Sequence, residues 1–305
     1  MTAAPAPAAP NPSARSSGTT TPLTSRISAA LRNGWALAKV ELLVSVRGAD
    51  WISYLITPVI ALAVILFTGG SEIGSTGISV AQYIVPSLIG MTIAVGGLMS
   101  PPAILMMERE DGSMVRMKAV PGGLQGYVLG KVLMLLITNV ASLLLVFAVM
   151  AIAMPELLPD GPGAWLRFVL FVVLGLLATL PAGIAIGTMM RNAALLMIPM
   201  FAVYGVIFIS GIFYPMEALA TPLQWIGMAF PMYWMGMGLR SAFLPPEAAG
   251  IELAGSWQTL ESVAVLGIWA VAGLVLAPIL MRRMIRGVSG STVIEARERM
   301  LSRGY

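Results

Sequence analysis

At 305 residues, with 58% hydrophobic and only 10% charged side chains and a mean hydropathy of +0.88, the chain carries more apolar surface than a soluble domain has interior to bury. Cysteine and histidine are both absent, which excludes disulfides, thiol nucleophiles, imidazole bases and the common zinc and haem ligands. The net charge of +4 comes from basic residues dispersed among apolar runs, a pattern that fits the cytoplasmic face of a membrane protein rather than a nucleic-acid partner.

Residues 1–23 are mostly Ala, Pro, Ser and Thr with almost nothing to bury, so a disordered cytoplasmic tail is expected. Pro5, Pro7, Pro10 and Pro12 stand where the apolar core of a secretory signal would be. Over 24–49, Ile27, Leu31, Trp35, Ala38 and Leu42 share one helical face and Ser28, Arg32 and Lys39 turn away from it. That spacing predicts an amphipathic helix lying in the membrane interface. The alternative is an extended start to the first span, because Val40, Leu43 and Val44 spread the apolar face.

Six apolar segments follow, at about 51–68, 81–107, 126–154, 166–190, 194–213 and 260–281. Each is close to the ~20 residues needed to cross hydrocarbon about 30 Å thick. The expected fold class is an all-α integral membrane protein, with a six-span domain over 50–285 and a cytoplasmic tail over 286–305. Pro58, Pro86, Pro101, Pro181 and Pro199 fall inside the runs, which membrane helices tolerate when neighbours satisfy the freed carbonyls. Six crossings put both termini on one side. With that side cytoplasmic, only Arg167 and Arg240 of the 18 Lys and Arg residues fall outside, and Arg282, Arg283 and Arg286 anchor the end of the last span. Arg191 and Asn192 alone separate the fourth and fifth segments, which predicts a tight antiparallel pair. Between 214 and 244, Pro215, Pro222 and Pro231 cut an apolar stretch into pieces too short to cross. Either two short helices dip into the outer leaflet there, with Trp225, Tyr233 and Trp234 at headgroup depth, or the stretch is an outside loop with interfacial aromatics.

The missing chemistry narrows the function. No Asp, Glu, Lys or Arg lies between the interfacial ends of the six segments, and Lys131, Arg167 and Glu261 are near enough to the ends to snorkel. Ion-coupled carriers bury such groups along the ion path, so coupling to an ion gradient is disfavoured. No catalytic constellation for intramembrane proteolysis is present, and no G-x-x-x-x-G-K-[ST] phosphate-binding loop occurs anywhere. Any coupling to ATP must come from a partner.

The most informative polar element follows the second segment. Glu108, Arg109, Glu110 and Asp111 end the apolar run, Gly112 follows, and Met114, Met117 and Val120 then repeat at helical spacing before Pro121. This describes either a short cytoplasmic helix acting as a mechanical handle on two spans or a plain membrane stop.

The stretch from Met107 to Gly112 resembles the M-E-R-E-x-G coupling segment of the type-2 ABC transporter permeases. Ser210-Gly211-Ile212-Phe213-Tyr214-Pro215 resembles their S-G-x-x-[FY]-P motif, and Phe230-Pro231-Met232-Tyr233 with Leu239-Arg240 resembles their closing elements. The chain is similar in particular to the daunorubicin-resistance-like branch of actinobacterial drug exporters, over about 24–285, with Asp111 standing where relatives often have Arg or Lys. The resemblance implies a bacterial plasma-membrane permease with both termini cytoplasmic, paired with a second copy or a paralogue. It also implies a separate soluble nucleotide-binding subunit that binds ATP and Mg; this chain itself has no cofactor and is no enzyme. Glu108, Arg109, Glu110, Asp111, Gly112, Met114 and Met117 would dock on that ATPase, and Ser210, Gly211, Phe213, Tyr214, Pro215, Pro231 and Tyr233 would form the external gate.

A pathway lined by Met, Leu, Phe, Gly and Ala favours an apolar or amphipathic passenger such as a drug, a polyketide-like metabolite or a lipid. Thr138, Asn139, Ser142 and Thr179 are the few mid-span polar groups, available either to substrate or to helix-to-helix hydrogen bonding. Export of a lipid-linked glycan by the same architecture and a non-transporting membrane scaffold are the competing functions.

Overall fold

The computed structural model describes residues 51–68, 71–73, 77–110, 123–190 and 193–287, together with scattered positions between 32 and 48. Among them the chain is helical: α1 (Trp51–Thr68), α2 (Val80–Glu110), α3 (Gly123–Ala153), α4 (Gly161–Met189), α5 (Ala193–Phe208), α6 (Thr221–Ala229), α7 (Pro231–Phe243) and α8 (Thr259–Gly287). Short 3-10 turns at Pro155–Leu157, Met216–Ala218 and Pro246–Ile251 join them. The tail expected over 1–23 lies outside the described residues, as does the chain from 288 onward.

Among the described residues four helical stretches are long and apolar enough to cross a membrane: Val80–Arg109, Gly130–Ala153, Gly161–Met189 and Thr259–Met284. The apolar stretches Leu55–Thr68 of α1 and Leu195–Phe208 of α5 are shorter. At 18 and 16 residues, α1 and α5 extend about 27 Å and 24 Å, somewhat less than the hydrocarbon thickness. Large apolar side chains point outward along the bundle, among them Leu66 and Phe67 on α1, Leu166 and Val169 on α4, and Ile268 and Val271 on α8. A surface of that kind is stable only against lipid or another apolar partner. This chain is an all-α membrane protein.

Contacts between helices fix their directions. Lys131 near the start of α3 meets Glu108 near the end of α2, Gly183 and Gly187 of α4 lie against Gly97 and Pro102 of α2, and Gly273 of α8 lies against Pro181. α2, α4 and α8 therefore run one way, with α3 and α5 returning between them. The end carrying Glu108, Arg109 and Lys131 is called the inner end, and the end carrying Tyr83, Gly211 and α7 the outer end, to tell the two apart.

α2 and α4 form the centre. Lipid gives apolar side chains no reason to leave it, so helices in a membrane associate through close packing, which small residues permit. Gly175, Thr179, Gly183 and Gly187 recur every fourth residue along α4 and all are buried. A Cβ at Gly183 would collide with the Gly97 carbonyl, and one at Gly187 would come within 2.8 Å of Pro102 Cα. Pro101 explains why that carbonyl is available: having no N–H, it leaves the Gly97 oxygen without its helical donor. The Gly183 hydrogen that stands in place of Cβ points at this oxygen, a weak Cα–H···O contact where a stronger donor is missing.

The predicted pairing of the fourth and fifth segments is corrected by this arrangement. α4 and α5 run antiparallel, but α5 lies against α2 and does not pack along α4. A two-residue link constrains only the adjoining helix ends. α5 also ends at Phe208, short of the expected 213, because Ser210–Pro215 folds into a turn. In the predicted interfacial helix the described positions from 32 to 47 are helical, with Ala38 buried; Trp35, Val40, Leu43 and Val44 are exposed, and the Lys39 ammonium lies 5.1 Å from the Trp35 ring centre.

Substituting Gly183→Val tests the central contact. Backbone rather than a flexible side chain blocks the new atoms, so a loss of about 3 kcal/mol is expected, read as a lower thermal unfolding midpoint in detergent. Gly205→Ala on α5, where a Cβ would meet nothing within 4 Å, should leave the midpoint unchanged or raised.

Candidate functional site

At the inner end, α2 runs past its apolar portion and carries Glu108 and Arg109 in its last turn. Lys131, which the sequence placed near enough to a span end to snorkel, is instead largely buried and pairs with Glu108, its Nζ 2.6 Å from Oε1. An ammonium withdrawn from water requires such a partner. Arg109 reaches α4, its Nη2 donating to the Thr188 carbonyl at 2.8 Å and its Nη1 to the Met190 carbonyl. These are last-turn carbonyls with no donor inside their own helix and lie at the negative end of its dipole, so a guanidinium from a neighbouring helix caps them. Glu108 and Arg109 thus tie the end of α2 to the start of α3 and the end of α4. Glu110 closes α2; Asp111, Gly112, Met114 and Met117 lie outside the described residues.

The outer end is built around Arg240, which is completely buried in α7. Its Nε donates to Glu252 Oε1 at 2.6 Å, and its Nη1 to Ser87 Oγ at 2.7 Å and to the Gly211 carbonyl at 3.2 Å. The guanidinium carbon stands 4.4 Å from the centre of the Tyr83 ring, and the Tyr83 hydroxyl donates to the same Gly211 carbonyl at 2.9 Å. Burial works most strongly of any one influence against the charge of Arg240, but the Glu252 carboxylate, Tyr83 and Tyr233 together outweigh it, and the guanidinium is held protonated above its ordinary range. One cation thereby joins the start of α2, the turn after α5, α7 and the turn Pro246–Ile251 that leads to Glu252.

Of the expected gate residues, Gly211 joins this cluster directly, through its carbonyl. Gly211 adopts φ +69°, a conformation that costs glycine nothing, and this turns its carbonyl toward Tyr83 and Arg240. Ser210 is buried and donates to Ile207, and Tyr214 donates to the Phe208 carbonyl and packs edge-on against the Phe208 ring. Phe213 and Pro215 are half-buried along the same turn. Pro231 opens α7, where its missing N–H costs nothing, and Tyr233 lies fully buried beside Trp234, with no hydrogen-bond partner for its hydroxyl among the described residues. The two short helices expected over 214–244 are present as α6 and α7. Of the three aromatics expected at headgroup depth, Tyr233 and Trp234 are buried by α7 against the bundle and Trp225 on α6 is exposed.

The mid-span polar residues serve packing. Thr138 and Asn139 donate to backbone carbonyls one turn earlier in α3, and Thr179 does the same in α4, donating to Gly175 at 2.7 Å. Asn139 occupies the space over Gly96 and Thr179 the space over Gly97, where any added Cβ would collide with them. Ser142 is half-buried on α3.

Sequence reasoning missed the ion pairs and the glycine notch. Arg240 was legible as an isolated charge in an apolar stretch, with Glu247 and Glu252 the nearest acids after it, but its partners Ser87 and Tyr83 lie about 150 residues away. The four-residue spacing of Gly175, Thr179, Gly183 and Gly187 was a signal in plain view. Replacing Arg240 with Met strands the Glu252 carboxylate in the interior and is expected to cost about 3–5 kcal/mol in a denaturant titration. The double substitution Arg240→Met, Glu252→Gln should cost less than the two single losses added together.

A comparison with curated proteins finds no match for this chain. The family model described as ABC-2 family transporter protein matches residues 72–279, a region that runs from before α2 into α8 and contains both ends of the bundle. The chain belongs to the ABC-2 family of transporter membrane proteins, the membrane-embedded components that work with a separate ATPase subunit.

Proposed function

We propose that the protein is the permease subunit of a bacterial ATP-driven exporter in the daunorubicin-resistance-like branch, moving hydrophobic or amphipathic compounds out across the plasma membrane. On this reading α1 to α5 and α8 make six crossings with both termini cytoplasmic, and the inner end faces a soluble ATPase that binds ATP and Mg. The segment from Glu110 through Met117 docks on that ATPase, Ser210–Pro215 with α6 and α7 closes the external side, and a second copy or a paralogue completes the permease.

One observation carries the reading: α2 joins the charged inner end, where the chain leaves toward residues 111–120, to the buried cluster that holds the turn at Gly211. A rigid element touching both is what coupling a cytoplasmic motor to an external gate requires. The apolar passenger is supported by the use of Thr138, Asn139 and Thr179 in helix packing, which leaves few fixed hydrogen-bond partners for polar cargo.

The test is uptake of a fluorescent lipophilic dye into inside-out vesicles containing this chain and a candidate partner ATPase from the same cell. Uptake should require hydrolysable ATP and survive collapse of ion gradients. Glu110→Lys should reduce capture of the ATPase in detergent by about tenfold, the scale of a lost charge-assisted contact. Dye uptake without any ATPase, or uptake abolished by an ionophore alone, rejects the exporter reading.

A further inference from the structure

Glu108 and Arg109 stand at the root of the segment proposed to meet the ATPase, yet the structure directs both side chains into the permease. The Glu108 carboxylate is 2.6 Å from Lys131, with both side chains largely enclosed, and Arg109 donates to the Thr188 and Met190 carbonyls. Lys131 also borders a small apolar cavity with Pro101, Ile104, Leu105, Ile184 and Met281, so α2, α4 and α8 all close around it. In that setting its ammonium has little water to turn to if the Glu108 carboxylate leaves.

We infer that Glu108 and Arg109 are positioning residues, a clamp that makes α2, α3 and α4 move as one body when the 110–120 segment is pushed, and that they do not contact the ATPase. The geometry favours this division. The segment between α2 and α3 has two roots, and an ion pair between residue 108 on one and residue 131 on the other closes its base. Without that closure, force applied to the segment splays its two helices apart and never reaches the outer end. Arg109 extends the closure to α4, whose last turn has carbonyls to cap. The contact of Gly183 and Gly187 with Gly97 and Pro102 then passes the displacement between α2 and α4.

This inference rests on the coupling role proposed above, and a charge exchange separates the two. In the complete permease–ATPase complex, Glu108→Lys sets two lysines against each other, Lys131→Glu sets two carboxylates, and the double exchange restores an opposite pair. Three quantities are read: ATPase captured by the permease in detergent, ATP hydrolysed, and dye transported per ATP. The clamp predicts that Glu108→Lys still captures the ATPase and lets it hydrolyse ATP, while dye per ATP falls about tenfold and Lys131→Glu in the same chain restores most of it. A loss of ATPase capture in Glu108→Lys that Lys131→Glu does not restore makes Glu108 a docking residue and overturns the clamp. If Glu108→Lys fails to accumulate, Glu108→Gln with and without Lys131→Met makes the same comparison with neutral groups. Failure of the parent reading looks different, because unaltered permease then captures no ATPase at all. The clamp is in that case still read from the unfolding midpoint, which each single exchange must lower and the double must recover; a double no better than the singles overturns it.

Discussion

The approach of α2 to α4 backbone on backbone is the constraint on which the other placements depend. Gly97 and Gly183 meet where neither can carry a Cβ, and Gly187 meets Pro102 one turn nearer the inner end. Once those heights are matched, the last-turn carbonyls of α4 come level with Arg109. The buried start of α2 then presents Tyr83 and Ser87 to Arg240 of α7, which itself lies along both α2 and α4. A larger residue at 183 would separate the helices and detune both charged ends together. In lipid, where burial of side chains gives no net drive to associate, such contacts are the main means of fixing which helices touch.

The charged residues are distributed to match. Each end of α2 holds an ion pair reaching to other helices, Glu108 with Lys131 at the inner end and the Arg240–Glu252 pair bonded to Ser87 at the outer end. The outer pair is the more deeply buried, and a buried ion pair is rarely the most stable filling for its volume. What it contributes is discrimination. Only one arrangement of the turn at Gly211, the start of α2, α7 and Glu252 supplies a guanidinium with a carboxylate, a hydroxyl, a carbonyl and an aromatic face at once. Alternative packings of the same apolar surfaces leave a bare charge in the interior.

Much of this was legible in the sequence, and the failures share a cause. Helix positions followed from apolar run length, and α1, α2, α3, α4 and α8 lie close to their expected segments because the thickness of hydrocarbon dictates that length. The proline and glycine breaks that separated α6 from α7 acted locally and were readable too. Lateral arrangement was not readable. The link at Arg191 and Asn192 predicts neighbouring helices, yet a short connection says nothing about which flank is better packed, and α5 found α2. The same holds for Tyr233 and Trp234, whose amphipathic chemistry suits a headgroup region but says nothing of their enclosure on a helix buried on every side. Arg240 is expected outside the apolar spans, and it lies on α7, which is not among the helices long and apolar enough to cross a membrane; that its charge points inward depends on Glu252 and Ser87, which no local pattern brings to it.

The polar groups left over after packing bear on the passenger. Thr138 and Thr179 donate their hydroxyl protons to their own helices, and Asn139 Nδ2 spends one of its two N–H groups the same way, on the Leu135 carbonyl. Among the described residues the buried polar atoms without a partner include Asn139 Oδ1 at the middle of the bundle and the Tyr233 hydroxyl and Arg240 Nη2 at the outer end. They are single atoms on side chains already held, not a converging set able to replace the hydration of a sugar or an ion. On the exporter reading, selection would therefore fall on shape and apolar area, and on the adaptable methionines, 22 in the chain, rather than on matched hydrogen bonds. A surface of that kind discriminates weakly between compounds of similar size, because one methylene more or less changes binding by only about 1–3 kcal/mol. Breadth of cargo, on the exporter reading, follows from having spent the polar groups on holding the helices together.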